Sequence, residues 1–144
     1  MIKRMDHVGI IVHDLAAAIE FFVDLGFELG GQMKMKGELV DRLIGLDEVQ
    51  TEFAFVRTPD GSGQLELIQF NSPTYKGDTP PPPANKPGIR HLAFVVDDIE
   101  AVVARLRARG TELVGELVQY EESWKLVYVR GPEGIIVELA EQLG

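Results

Sequence analysis

At 144 residues the chain has room for one domain, or for two half-sized modules that share a core. Its composition, 45% hydrophobic and 26% charged, is that of an ordinary folded protein, and no apolar run approaches the roughly 20 residues that cross a bilayer. The absence of cysteine excludes disulfides and thiolate ligands, and the net charge of -9 disfavours phosphate-rich nucleic acid as a partner.

The opening Met-Ile-Lys-Arg-Met-Asp lacks a signal-peptide hydrophobic stretch, so a cytoplasmic location is expected, with neither membrane nor nucleic acid as partner. Met5–Val12 is β-rich and reads as a strand. Asp14 then stands where a helix N-cap belongs, ahead of an apolar stripe at Leu15, Ile19, Phe22 and Val23, and Gly26 marks the stop. Strands are expected near Phe27–Met33, Thr51–Arg57 and Gln64–Phe70, the last two joined by a turn at Pro59-Asp60-Gly61. Lys34–Glu48 has the pattern of a short helix through Leu39-Val40 and Leu43-Ile44, serving as a lid or as a packed excursion. Ser72–Gly88, with its run Pro80-Pro81-Pro82-Pro83, is a stiff spacer.

The second half repeats the first. Ile89–Val96 is a strand, Asp98 an N-cap, and Ile99, Val102, Val103 and Leu106 a helical stripe that ends at Gly110. Further strands are expected near Glu112–Val118, Lys125–Arg130 and Ile135–Ala140, with a turn at Pro132-Glu133-Gly134. Asp6-His7-Val8-Gly9 through Leu15 aligns with Arg90-His91-Leu92-Ala93 through Ile99 at an offset of 84 (91 minus 7), and Leu65-Glu66-Leu67 with Val137-Glu138-Leu139 at 72 (138 minus 66). The first half therefore holds 12 extra residues (84 minus 72), most simply placed between Gly30 and Val49. The modules are residues 1–71 and 89–144, joined by the spacer 72–88 into one structural domain.

Strand parity places His7 with Gly9 and Ile11, opposite the face of Val8, Ile10 and Val12 that packs on the helix. His91 shares its face with Ala93 and Val95, Glu66 with Gln64, Ile68 and Phe70, and Glu138 with Ile136 and Ala140. Each polar residue interrupts a mainly apolar face, where an unpaired carboxylate would cost several kcal/mol if enclosed. A divalent cation offsets that cost, since imidazole nitrogen and carboxylate oxygen are ligands for Zn, Ni, Co, Mn or Fe. Taken singly, such a histidine is more often a hydrogen-bonded core residue than a ligand, and such a glutamate usually faces water; the recurrence of the His/Glu pair favours the metal. His13, whose counterpart is Asp97, is not expected to be a ligand. Phe53, Phe55, Trp124, Leu126 and Tyr128 line a wall or belong to the core, and Arg57 and Arg130 either hold an anion or are solvated strand ends.

Over essentially its whole length this pattern resembles the vicinal oxygen chelate superfamily, which includes glyoxalase I, methylmalonyl-CoA epimerase, extradiol dioxygenases and bleomycin-resistance proteins. The resemblance implies an α+β fold in which two βαβββ modules form a curled mixed sheet, a cup with helices on its outer face. It implies a divalent metal held by His7, Glu66, His91 and Glu138, a small-molecule substrate and, on this ground alone, a homodimer. The set is similar to that of glyoxalase I and the epimerases, which implies a lyase or isomerase moving a proton next to a carbonyl through a metal-stabilised enediolate or enolate. Glu138 and Glu66 are then the candidate catalytic bases. The alternatives are an extradiol-type dioxygenase, against which a fourth protein ligand argues, and a drug-binding protein without chemistry, whose relatives have often lost the metal residues.

Overall fold

The computed structural model describes residues 1–77 and 80–144; of the expected spacer, Asp78 and Thr79 lie outside the described residues. The chain is α+β and divides into two compact units, Met1–Gly77 and Asp78–Gly144, each with one four-stranded mixed sheet.

The first unit runs β1 (Val8–Ile11), α1 (Leu15–Asp24), β2 (Glu28–Lys36), α2 (Glu38–Ile44), β3 (Gln50–Arg57) and β4 (Gln64–Ser72). Its sheet has the order β1-β4-β3-β2, with β1 parallel to β4 and the other pairs antiparallel. α1 starts where the Asp14 carboxylate accepts from the Ala17 amide at 3.0 Å, which satisfies one of the free N–H groups of a first turn. It lies against β3 and β4, burying Leu15, Ala18 and Phe22 beside Ala54, Val56, Leu65 and Leu67. The 12 extra residues do contain a short helix. Val40 of α2 is buried, and Asp41 accepts from the amides of Glu48 at 3.1 Å and Val49 at 2.8 Å, which ties the excursion to the start of β3.

The second unit runs β5 (His91–Val95), α3 (Ile99–Ala108), β6 (Val118–Tyr120), β7 (Trp124–Arg130) and β8 (Ile136–Gln142). Its order β5-β8-β7-β6 reproduces the first, again with the opening strand parallel to the last. Ile99, Val103 and Leu106 of α3 are buried, as are Val127, Val129, Val137 and Leu139 of the sheet. Among the described residues no helix is long and apolar enough to cross a membrane.

The duplication reaches a contact the sequence did not single out. Gln69 Oε1 of β4 accepts from the Leu15 amide at 2.9 Å, and its counterpart Glu141 Oε2 of β8 accepts from the Ile99 amide at 3.0 Å. In both units the last strand thus satisfies an orphan donor at the start of the helix.

The first strand starts later than expected, at Val8 rather than Met5, and one expected element differs in kind. Glu112–Val118 is not a continuous strand: Leu113 makes an isolated bridge to Val129, Val114 donates to the Tyr128 carbonyl at 2.8 Å, and regular pairing resumes only at Val118. Gly115 interrupts the segment, having no side chain to pack and the largest backbone entropy to lose. The first unit has its irregularity at the equivalent place, a register shift between Leu29 and Gln32 across Gly30-Gly31, but absorbs it inside a nine-residue strand.

Candidate functional site

In each unit the candidate histidine and glutamate stand on neighbouring parallel strands. Gly9 pairs with Glu66, and Ala93 pairs with Glu138. The histidines lie two residues earlier, His7 immediately before β1 and His91 opening β5. A two-residue step returns to the same face of a strand, so histidine and glutamate are diagonal neighbours. Their polar atoms meet accordingly: His7 Nε2 lies 3.9 Å from Glu66 Oε2, and His91 Nε2 lies 3.5 Å from Glu138 Oε1. The glutamate side chains are each 21% exposed, and the imidazoles 35% and 38%.

The third strand places an aromatic ring opposite each glutamate, Phe55 across from Glu66 and Tyr128 across from Glu138. Phe55 meets the His7 ring edge-on, with centroids 5.6 Å apart, and Tyr128 tilts over His91 at 4.9 Å. Both therefore belong to the site, whereas Phe53, with 8% exposure, belongs to the core. Burial, followed by the negative charge of Glu138, pushes the Tyr128 phenol above its ordinary range.

Asp6 was not among the expected site residues, yet its Oδ2 stands 2.7 Å from His7 Nδ1, and its Oδ1 accepts from Arg4 Nη2 at 2.9 Å. The hydrogen bond with His7, the largest influence, holds its carboxyl below the usual carboxylate range; desolvation opposes this, and the hydrogen bond with Arg4 adds to the lowering. The aspartate directly before the histidine was the available signal. The strand-end arginines are explained by neighbours other than an anion. Arg57 donates to Gln64, and Arg130 Nη1 donates to the carbonyls of Pro82 at 2.8 Å and Gly134 at 3.0 Å.

The donor chemistry of each pair fits a divalent cation. Two ligands about 2.1 Å from one ion stand roughly 3.0 Å apart at a right angle and about 3.4 Å apart in a tetrahedron, so a small side-chain closure serves either pair. Among the described residues no group of three or more His, Cys, Asp or Glu side chains forms a candidate metal cluster; each unit supplies two donors.

Residues 6–128 match the model of the Glyoxalase/Bleomycin resistance protein/Dioxygenase superfamily. The chain is 30% identical to the uncharacterized protein YwbC of Bacillus subtilis over 144 residues, covering 99% of this chain and 100% of that protein. It is similar to the solved structure of a glyoxalase family protein from Bacillus cereus, with 44% identity, a TM-score of 0.96 and coverage of 100% of this chain and 97% of that one. It shares its fold with glyoxalase I of Leishmania major at 22% identity and a TM-score of 0.66, over 96% of this chain and 86% of that one.

Proposed function

We infer this protein's function from its family and from the two half-sites: the chain belongs to the glyoxalase/bleomycin resistance protein/dioxygenase superfamily. Within that family we read it as a metal-dependent lyase or isomerase of the glyoxalase or epimerase type, which moves a proton next to a carbonyl of a small substrate. His7, Glu66, His91 and Glu138 are assigned to one divalent cation, each unit contributing one imidazole nitrogen and one carboxylate oxygen. The cation, when bound, supplies Lewis acidity toward substrate oxygens. The carboxylates of Glu66 and Glu138 are assigned to take and return the proton, and their limited exposure keeps bulk water from competing for it. Phe55 and Tyr128 orient the imidazoles and give the substrate an aromatic wall.

The observation that carries this reading is the recurrence of one His–Glu pair at the same strand register in both units. A shared solvated surface would have no reason to keep both residue types at both places. The test is metal analysis of protein purified without chelator. One cation per chain is expected, lost in Glu66→Ala and in Glu138→Ala. Deuterium exchange next to the carbonyl is expected for at least one member of a panel of α-hydroxy carbonyl compounds and acyl thioesters. Protein that takes up none of Zn, Ni, Co, Mn or Fe, or that keeps its metal in both variants, refutes the assignment.

A further inference from the structure

We propose that Asp6 is a positioning residue for His7: its carboxylate holds the imidazole in the tautomer protonated on Nδ1, so that Nε2 presents its lone pair beside Glu66. This rests on the reading of His7 as a metal ligand and deepens it.

A neutral imidazole has one donor nitrogen and one acceptor nitrogen. Asp6 Oδ2, 2.7 Å from His7 Nδ1, can only accept, so the proton of the neutral ring belongs on Nδ1. That leaves Nε2, the nitrogen facing Glu66, unprotonated and available to a cation. Asp6 is itself aimed: its other oxygen accepts from Arg4, so the chain Arg4–Asp6–His7–Glu66 alternates cation, anion, imidazole and anion along one line of contacts. A carboxylate behind the distal nitrogen of a metal-binding histidine fixes both the tautomer and the ring orientation.

The second unit lacks this device. Arg90 occupies the position of Asp6 in the repeat, and a guanidinium can only donate. Its Nε donates to the Lys86 carbonyl at 2.9 Å and its Nη2 to the Pro87 carbonyl at 3.2 Å, away from its own histidine. The two histidines are therefore prepared differently, His7 by a carboxylate and His91 by the overlying Tyr128 ring.

The side chain of Asp6 is 56% exposed, so its removal should leave thermal unfolding almost unchanged. That separates positioning from a merely structural role. In metal-free protein, long-range proton–nitrogen correlation spectra should show neutral His7 protonated on Nδ1, and Asp6→Ala should abolish that bias. Asp6→Asn, which keeps an oxygen acceptor, should restore it in part. In chelator competition with zinc, Asp6→Ala should bind about 10–100-fold more weakly, while Arg90→Ala should match the wild type. An unchanged His7 tautomer or an unchanged zinc affinity in a folded Asp6→Ala protein overturns the proposal. Wild-type protein that binds no zinc or other divalent cation would refute the metal reading instead, and the metal-free spectrum would still decide the role of Asp6.

Discussion

Replacing Gly134 with alanine isolates the contact that seats the proline run on the second unit. Gly61 and Gly134 occupy equivalent turns, and both adopt left-handed backbone, with φ of 75° and 84°. A Cβ at Gly61 meets nothing within 4 Å, whereas one at Gly134 would stand 2.6 Å from Pro81 Cβ and 2.8 Å from its Cγ. Gly61→Ala therefore costs only the left-handed strain of an L-residue, about 1–2 kcal/mol. Gly134→Ala adds displacement of a rigid pyrrolidine ring, about 1–3 kcal/mol by the usual scale of overpacking. Shifting Pro81 also disturbs the hydrogen bond from Arg130 to the neighbouring Pro82 carbonyl, a charged-group bond of about 1.5–3 kcal/mol. Together the loss is about 3.5–8 kcal/mol. At roughly 2–4 °C per kcal/mol for a chain near this size, calorimetry should show Tm lower by several degrees in Gly61→Ala and by more than about 7 °C in Gly134→Ala. Adding Pro81→Ala should recover part of the second loss and none of the first. Equal shifts in the two single variants would refute the reasoning, because both then pay only for backbone. The contact matters to the site because the same segment continues through Lys86 and Arg90 directly into His91.

Leu67 and Leu139 are repeat equivalents, 0% and 1% exposed, and truncating either to alanine should cost about 2–5 kcal/mol in urea unfolding; a loss under about 1 kcal/mol at either would contradict its place in the core. Tyr128 is favoured neutral in the fold, so its contribution to stability is complete below its ordinary value of 10.0 and is lost as pH rises through its higher folded-state value. Stability of Tyr128→Phe should accordingly fall less steeply in that alkaline window, and identical slopes would count against the shift. Asp60 accepts from the Thr58 hydroxyl and from the amide and hydroxyl of Ser62, which, with Thr58 the largest cause, lower its pKa to about 2. Its contribution is present above its ordinary 3.8 and lost as pH falls through about 2; a carboxyl carbon titrating at 3.8 would exclude the turn as drawn.

The strands and helices were legible because periodicity and duplication agreed. Val8 and Ile10 point inward while Gly9 and Ile11 point out, and β5 follows the same alternation, as strand parity requires. The segment from Glu112 to Val118 misled because its two apolar pairs, Leu113-Val114 and Leu117-Val118, resemble one strand, while in the folded chain the stretch around Gly115 between them stays outside the regular pairing. In the site, Glu66 and Glu138 were visible as charges on apolar faces. Asp6 was hidden because a strand beginning at Met5 puts it on the face opposite His7, whereas β1 begins only at Val8 and the Asp6 carboxylate reaches the neighbouring imidazole. Arg130 was visible as a strand-end arginine but its partner on Pro82 was not, because that acceptor lies 48 residues away, outside any local pattern.

The register shows which features of the half-sites are inherited from the fold and which are separate. A parallel first and last strand, offset so that a small residue faces the glutamate, suffices to bring imidazole and carboxylate within 3.9 Å; Gly9 and Ala93 meet that requirement in the two units. Any sequence that keeps this pairing, together with a histidine and a glutamate at these positions, holds the two donors side by side. The flanking contacts are free to differ, and they do: aspartate against arginine before the histidine, phenylalanine against tyrosine across from the glutamate. Phe55 offers Glu66 only a ring, whereas Tyr128 offers Glu138 a hydroxyl as well. The two carboxylates thus have different neighbours on an equivalent scaffold, so whatever the two half-sites bind, they meet it with different chemistry.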